Sequence, residues 1–400
     1  NRKALSVKHT DASQATNLVI NEYDDIDLIV EGINLVNGSL YINIETVEGL
    51  LNLREGVISA SSDITITADD IDFASGINRV SSTGALILKT AHSENNYKLG
   101  SSAQNQYGTD ISKGDPNGYM NFSQIDFAAL KDGFSEIKIG SSDATIYLGD
   151  IKDAAVLKDE LKLSANHILV QGNANSNVDM HIAANTLEVN SQNVHDALGL
   201  ANSGLTASNL YLEIDEQLLV GGWLKSTNTL RVNVNKTDGI DNMIQDASGT
   251  YSLLTDASGV LEASNVIINT FEDIKIGSVI TGVDLDITAQ GFINILDTAR
   301  IHVNYDNSTI EINADEAIYV NGVVASGASY DEASGKWIED GANSNLTINA
   351  GGELKLSGAM SASGDMDFVG GSSQEDYANY FDTIPGSTIT TVDISNLQAV

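Results

Sequence analysis

A short pattern of alternating apolar and polar residues around one alanine recurs seven times in this chain, and it limits the folds that the chain can adopt. The pattern has two versions, which differ by one residue after the alanine. The alanines are Ala68, Ala165, Ala184 and Ala263 in the shorter version and Ala289, Ala314 and Ala350 in the longer one. Copies lie as little as 19 residues apart, as from Ala165 to Ala184. Periods of about 20–50 residues are typical of solenoids, propellers and arrays.

Each copy is predicted to form a strand, a tight bend and a second strand. The phrase LTINAGGELKL at 346–356 alternates apolar and polar residues on both sides of a glycine pair. Such alternation is the mark of a strand that buries one face. We expect the alanine to lie at a corner of a narrow core, where a larger side chain would overpack. The repeats therefore predict an all-β fold, a right-handed parallel β-helix with loop and hairpin insertions.

Tandem β-sandwich domains are the alternative fold. A sandwich needs about 100 residues and hairpin turns throughout. The repeat unit here is far shorter, and the chain of 400 residues has only 2 prolines and 2 tryptophans. The β-helix is therefore the preferred prediction.

Breaks in the alternation predict the domain organisation. Coils are expected over 1–90 and 135–370, with a polar, loop-rich insertion over 91–134 between them and a terminal section or junction over 371–400. Smaller insertions are expected near 236–259 and 326–345. In the first of these, the phrase Asp-Ala-Ser-Gly at 246–249 returns at 256–259, which predicts turns around a short hairpin.

The charge balance excludes several classes of partner. With 20 basic against 55 acidic residues, the net charge is -35. Nucleic acid is excluded, because its binding depends on Lys and Arg neutralising phosphates. The chain has no cysteine for disulfides or thiolate metal sites. Because no apolar run approaches about 18 residues, it is not expected to be embedded in a membrane.

No catalytic motif supports an enzyme. The sequence lacks Gly-x-Ser-x-Gly, a P-loop and a metal-binding histidine pair. Polysaccharide lyases and hydrolases on β-helices would need carboxylates supported by Lys or Arg, and the 20 basic residues here are scattered. We therefore expect a non-catalytic protein.

Two groups of loop residues are candidate binding sites. Tyr330, Asp331, Trp337 and Glu339 combine aromatic faces with carboxylates, which could stack on sugars or anchor a protein partner. The second group supplies carboxylate oxygens, which are the ligands that Ca²⁺ prefers. Its members are Asp110, Asp115 and Asp126. Calcium is thus the one cofactor that the sequence suggests.

The phrases SANHILVQG, AANTLEVN and NAGGELKLSGAMSASGDMDF resemble the coils of filamentous-haemagglutinin-like bacterial surface proteins. The resemblance covers 140–235 and 260–370 best, and the Asn-Pro-Asn-Gly motif of the family's secretion domain is not recognisable. The resemblance implies a secreted, extracellular or cell-surface β-helix used in adhesion or biofilm matrix.

We therefore expect a structural or adhesive segment of a large extracellular filament protein. Its expected partners are itself, neighbouring β-helix segments, surface glycans and proteins of host or neighbouring cells. A glycan- or calcium-binding module is the first alternative function, and a β-helix polysaccharide lyase or hydrolase is the second.

Overall fold

The computed structural model describes residues 4–23, 27–46, 49–53, 56–73, 76–92, 96–100, 119–151, 157–189, 203–235, 245–246, 249–331, 336–339, 341–370 and 388–394. The chain divides into two compact units. The first comprises residues 1–190 and 194–208, and the second comprises residues 191–193 and 209–400.

The first unit is built from coils that add strands to three rows. Its first row contains β2 (Leu18–Glu22), β4 (Leu40–Ile44), β7 (Ile64–Thr67), β10 (Leu86–Lys89) and the first parts of β13 (Ile137–Leu148), β14 (Leu161–Val170) and β16 (Met180–Val189). The second row contains the first part of β3 (Asp27–Leu35), β5 (Leu50–Asn52), β8 (Asp70–Asp72), β12 (Tyr119–Phe122), β11 (Asn96–Leu99) and the later parts of β13, β14 and β16. The third row contains β1 (Leu5–His9), the later part of β3, β6 (Val57–Ala60), β9 (Val80–Ser81), β15 (Asn173–Asn175) and β17 (Gly204–Ala207). One helix, α1 (Gln124–Ala129), follows β12.

The second unit repeats this plan. Its first row contains the first part of β18 (Leu210–Val220), β20 (Thr229–Val234), β25 (Asn265–Thr270), β28 (Asp284–Ala289), β31 (Thr309–Ala314), β36 (Asn345–Ala350), β39 (Asp365–Gly370) and β40 (Thr388–Ile394). The second row contains the later part of β18, β23 (Leu253–Thr255), β26 (Ile274–Ile276), β29 (Ile293–Ile295), β32 (Ile318–Val320) and β37 (Leu354–Leu356). The third row contains β19 (Trp223–Ser226), β24 (Val260–Glu262), β27 (Val279–Gly282), β30 (Arg300–Val303), β33 (Val323–Ser326) and β38 (Ala359–Ala362).

The parallel β-helix predicted from the repeats is confirmed. Among the described residues, antiparallel pairing occurs only in two hairpins, β21 (Gln245–Asp246) with β22 (Gly249–Thr250) and β34 (Ala328–Asp331) with β35 (Lys336–Glu339). Because sandwiches are built from antiparallel sheets, the tandem-sandwich alternative is excluded.

Apolar side chains of equivalent strands stack on one another in the interior. In the second unit Ile287 pairs with Ile312, which pairs with Ile348, and all three are fully buried. Full burial of each such side chain contributes about 1.5–3 kcal/mol. Side chains alternate between the inner and outer face along each strand. A shift of one residue in the register of a strand would therefore turn all of its apolar side chains outward.

The predicted corner alanines are all buried, and six of them lie between the first and second rows. Ala165 pairs with Ala184 in the first unit, and in the second Ala314 pairs with both Ala289 and Ala350. At Ala165 and Ala289 the two versions of the pattern give this corner two forms. The strand runs on through Ala165 within β14, whereas three residues separate Ala289 from β29.

Ala263 does not belong to this column, so its alignment with the other alanines is wrong. It follows β24, and its N–H donates to the carbonyl of Thr281 in the next coil, between the third and first rows. The true neighbour of Ala289 in the preceding coil is Thr270, which itself pairs with Val234. The corner from third to first row and the corner from first to second row both place an apolar pair on either side of a small residue. Alternation in the sequence alone therefore cannot distinguish one corner from the other. A buried Val234 in the column also shows that a larger side chain fits there, contrary to expectation.

Side-chain oxygens tie successive coils together where the first row begins. Asn17 and Asp63 each accept the backbone N–H at the equivalent position of a later coil, at 3.1 Å from Ser39 and 2.8 Å from Ala85. Asp284 does the same for Thr309 at 3.0 Å in the second unit. These side-chain oxygens thus provide hydrogen-bond acceptors for backbone N–H groups at the start of the first-row strands.

The corners of the second unit differ in how freely their length varies. The corner from first to second row has three residues after β25, β28, β31 and β36, and 18 residues (235–252) where β21 and β22 are inserted. The corner from third to first row has one residue after β27, five after β30, two after β38, and 18 (327–344) where β34 and β35 are inserted. The hairpins lie within the insertions predicted near 236–259 and 326–345, but β23 and the Asp-Ala-Ser-Gly turn at 256–259 belong to the coil.

The stretch 91–134 differs from the prediction of a projecting insertion. Tyr97, Phe122 and Phe127 within it are fully buried, and β11, β12 and α1 belong to the coils. β12 lies between β11 and β8, so the chain order is reversed here. The polar segment 101–118, which lies outside the described residues, hid these apolar positions in the sequence. In the terminal section 371–400, the structure describes β40, which pairs with β39.

Candidate interaction surfaces

The predicted aromatic site falls on the hairpin of β34 and β35. Tyr330 pairs with Trp337 and Asp331 with Lys336, while Glu339 pairs with Ala328 at the base. The structure thus places the two aromatic residues directly opposite each other on neighbouring strands. Strand β34 also lies against β30. Ala325, at an outward position of the neighbouring β33, is fully buried.

Of the three predicted calcium ligands, the structure describes one, Asp126. Asp110 and Asp115 lie outside the described residues. Asp126 lies buried in the first turn of α1, where its Oδ2 accepts hydrogen bonds from the N–H and the hydroxyl of Ser123 at 2.8 and 2.6 Å. The structure therefore gives Asp126 a helix-capping position instead of the exposed loop expected for it. Within the described ranges, no group of three or more His, Asp or Glu side chains is arranged to hold a metal ion.

A second buried carboxyl group, Asp70 of β8, lies close to Asp126. Its Oδ1 accepts the N–H of Ile71 and the N–H of Asn121 on β12, both at 2.9 Å. Burial raises the pKa of Asp70 to about 8 and that of Asp126 to about 6, and each group is raised further by a neighbouring carboxylate. Removal from water, which penalises the charged form, outweighs the hydrogen bonds that favour it.

Four charged side chains and His181, on three consecutive coils, form a continuous chain of contacts on the outside of the first unit, which we name the ion ladder. Lys138, Lys162 and His181 are Cα partners on β13, β14 and β16. Glu136 lies 2.6 Å from the Nζ of Lys138 and 2.8 Å from the Nζ of Lys162. Glu160 lies 3.3 Å from Lys162 Nζ and 2.9 Å from His181 Nε2.

The electrostatics of the ion ladder favour charged, mutually paired groups. Hydrogen bonds from Lys138 and Lys162 lower the pKa of Glu136, and the hydrogen bond to Glu136 raises the pKa of Lys162. Both shifts move these groups away from neutral pH. A general acid or base works best with a pKa near the operating pH, so Glu136 and Lys162 are poorly suited to proton transfer.

The ion ladder could not be found from the sequence. Its members lie 2 to 45 residues apart, between Glu136 and His181, in three different coils. Only the strand register places them side by side. The one signal that could have suggested them is the position of Lys138, Lys162 and His181, each after the first apolar residue of its strand.

We expect Glu136→Gln to lower stability by about 1 kcal/mol, because it removes the charge that two lysines share. Above the ordinary pKa of 4.5 the charge of Glu136 stabilises the fold, and this contribution is lost as the pH falls through its lowered pKa. The difference between variant and parent in urea unfolding should therefore shrink in acid and in high salt. The matched control is Glu262→Gln, which breaks the single exposed pair with Lys225 at 2.7 Å. An equal loss in both variants would show that the ladder adds nothing to a simple pair.

A strip of aromatic rings lies along the corner between the first and second rows of the second unit. Tyr251 and Phe292 pack edge to face at 5.8 Å, and Phe292 and Tyr319 at 6.3 Å. The hydroxyl of Tyr319 donates to Glu353 Oε2 at 3.1 Å, and Lys275 Nζ lies 5.2 Å from the Tyr251 ring. Tyr251 is buried, whereas Phe292 and Tyr319 are partly exposed beside polar groups and could stack on sugar rings.

Comparison with known proteins finds no relative: no family model matches the chain, and no curated protein or solved structure is significantly similar to it. No helix in the part of the chain that the structure describes is long and apolar enough to cross a membrane. The function must therefore be argued from the fold and its surfaces.

Proposed function

We propose that the chain is a structural and adhesive segment of a large secreted bacterial cell-surface or filament protein, and that it is not a catalyst. The observation that supports this most is the contrast between constant strand rows and variable corners. In the second unit Ile310 pairs with Leu346 across an 18-residue corner and with Leu285 across a five-residue corner. A scaffold of this kind can present different segments without changing its core.

The surfaces support the same proposal. The carboxylates and lysines of the ion ladder are bound to one another, and the interior is filled by aliphatic stacks. Solenoids of this kind gain stability from contacts between neighbouring coils, so they can be long and still display an extended surface. The net charge of -35 keeps such a surface hydrated.

The test combines imaging, adhesion and turnover. Negative-stain electron microscopy, with Ca²⁺ and with a chelator, should show elongated particles of uniform width. Beads coated with the chain should adhere to at least one of dextran, alginate, hyaluronan or immobilised serum protein. The same preparations should release no reducing ends or unsaturated uronates. Sustained polysaccharide cleavage, or the lack of any adhesion, would contradict the proposal.

A hairpin-exchange variant sharpens the adhesion test. Residues 327–344 are replaced by a second copy of the five-residue corner 304–308, which joins the same two rows one coil earlier. We expect the circular dichroism spectrum and unfolding midpoint to stay close to those of the parent, because β33 and β36 keep their neighbours. Adhesion should fall if the hairpin carrying Tyr330 and Trp337 makes the contact. Unchanged adhesion would direct attention to the aromatic strip.

The ion ladder favours a second candidate, a β-helix polysaccharide lyase or hydrolase. It brings together the carboxylates and cations that such an enzyme needs, as the sequence had not suggested. The pKa directions of Glu136 and Lys162 argue against it. If the turnover assay is positive, Glu160→Gln and His181→Ala should abolish it, because these two groups form the remaining candidate acid–base pair.

A further inference from the structure

Residues 119–130 of the first unit form a docked segment, consisting of β12, Ser123, α1 and Leu130. Phe122 packs edge to face against Phe73 at 5.7 Å and against Phe127 at 4.7 Å. The carbonyls of Ala128 and Ala129 accept the N–H groups of Asn78 and Arg79. The segment is thus held by the pairing of β12 with β11, by one aromatic cluster, by these backbone bonds and by Lys158 Nζ, which donates to the carbonyl of Leu130 at 2.9 Å.

Two carboxyl groups link the docked segment to β8 and to Phe73, which follows β8, and they accept hydrogen bonds in opposite directions. Asp70 lies on the coil and accepts the N–H of Asn121 in the segment at 2.9 Å. Asp126 lies in the segment and accepts the N–H of Phe73 on the coil at 2.7 Å. Strands β12 and β8 lie side by side at the point where the chain order is reversed. The two side-chain bonds take the place of a ladder of backbone hydrogen bonds between these two strands. Docking therefore buries both carboxyl groups, and undocking would return both to water.

We propose that the docked segment is a pH-responsive latch, closed in acid and released as the solution becomes alkaline, because closure forces two carboxyl groups into one buried site. Two like charges in a poorly solvated site repel each other strongly. Below about pH 8 the closed state keeps at least one group protonated, whereas in the open state both groups ionise near their ordinary pKa of 3.8.

The direction of the pH dependence follows from the raised pKa values. In the open segment both groups ionise near the ordinary value of 3.8, while in the closed one they ionise at about 6 and about 8. Closure is therefore fully favoured below pH 3.8, and its advantage is lost as the pH rises to about 8. Each proton released on opening makes the opening constant rise about tenfold per pH unit.

The other charged groups around the latch do not reverse this direction. Asp72 on β8 raises the pKa of Asp126 further. Asp69 at the adjoining corner lies 2.9 Å from His92 Nδ1. Lys98 on β11 lies 3.8 Å from the centre of the Tyr119 ring. Asp126 is the one titratable residue of α1.

Amide hydrogen exchange of the full chain tests the latch between pH 5.5 and 8.5, with rates corrected for intrinsic exchange. Protection of amides in 119–130 and of Phe73 should fall about tenfold per pH unit between pH 6 and 8. Amides of β14 in the same unit should keep their protection. Protection that does not change with pH, or that falls equally in β14, would overturn the proposal.

The variant Asp70→Asn separates ionisation from hydrogen bonding. Its Oδ1 can still accept the N–H groups of Ile71 and Asn121, but it cannot ionise. Protection of 119–130 at pH 8 should rise at least about tenfold over the parent, with a flatter pH dependence. The matched control is Asp63→Asn, whose exposed side chain also accepts a backbone N–H, at 2.8 Å from Ala85. A parent-like slope in Asp70→Asn would contradict the latch, as would a flattened slope in Asp63→Asn.

Discussion

Ala184→Asp should destabilise the first unit by about 3 kcal/mol or more, because it places a charge in the interior at a corner with no partner for it. Ala184 is 4% exposed and pairs with Ala165, which is equally buried. The new carboxyl group must either stay charged without solvation or take up a proton. Urea unfolding followed by circular dichroism measures the loss.

Ala183→Asp is the matched control for this prediction. Ala183 precedes Ala184 on β16 but points outward, and it is exposed. Surface substitutions of this kind change stability by about 0.5 kcal/mol or less. If both variants lost equal stability, the corner would not be buried as described, and the register of β14 with β16 would be wrong.

Phe122→Ala should cost about 3–5 kcal/mol, through lost burial and the cavity left between two rings. Phe122 is fully buried, and it packs against Phe73 on the coil and Phe127 in α1. The loss should appear first as weaker protection of 119–130 in hydrogen exchange, because the ring joins the docked segment to the coils.

Phe271→Ala tests whether ring removal alone explains that loss. Phe271 lies at a corner of the second unit and is 48% exposed, so its truncation should cost well under half as much as that of Phe122. Comparable losses in the two variants would mean that Phe122 is not the core residue described here.

The sequence predicts that the chain forms β-helical coils, but it does not predict which row each strand joins. Alternation around Ala165 and Ala314 fixes where strands bend, because only one face of each strand can be apolar. The same alternation occurs at another corner, as Ala263 shows, so a pattern without pairing cannot assign a strand to its row. The reversed order of β11 and β12 is even harder to predict from the sequence, because it depends on which strand β12 pairs with after a long intervening segment.

The surfaces depend on register even more strongly. Tyr330 and Trp337 could be grouped from the sequence because they lie in one short segment, and the hairpin places them opposite each other. Glu136 and Lys162 are brought together by the stacking of separate coils, which composition cannot reveal. The sequence predicts Asp126 to be a loop carboxylate, because the polar residues before it conceal the short apolar helix whose first turn it caps.

The unequal corners of the second unit have a consequence for protein engineering. The corner from third to first row already accommodates one, two, five and 18 residues between strands that keep their pairing. A foreign epitope or tag of similar length could be grafted at that corner, coil after coil, to give a row of cargo at the spacing of the strands. The corner from second to third row, held at two or four residues in every coil of this unit, is the place where such a graft is least tolerable.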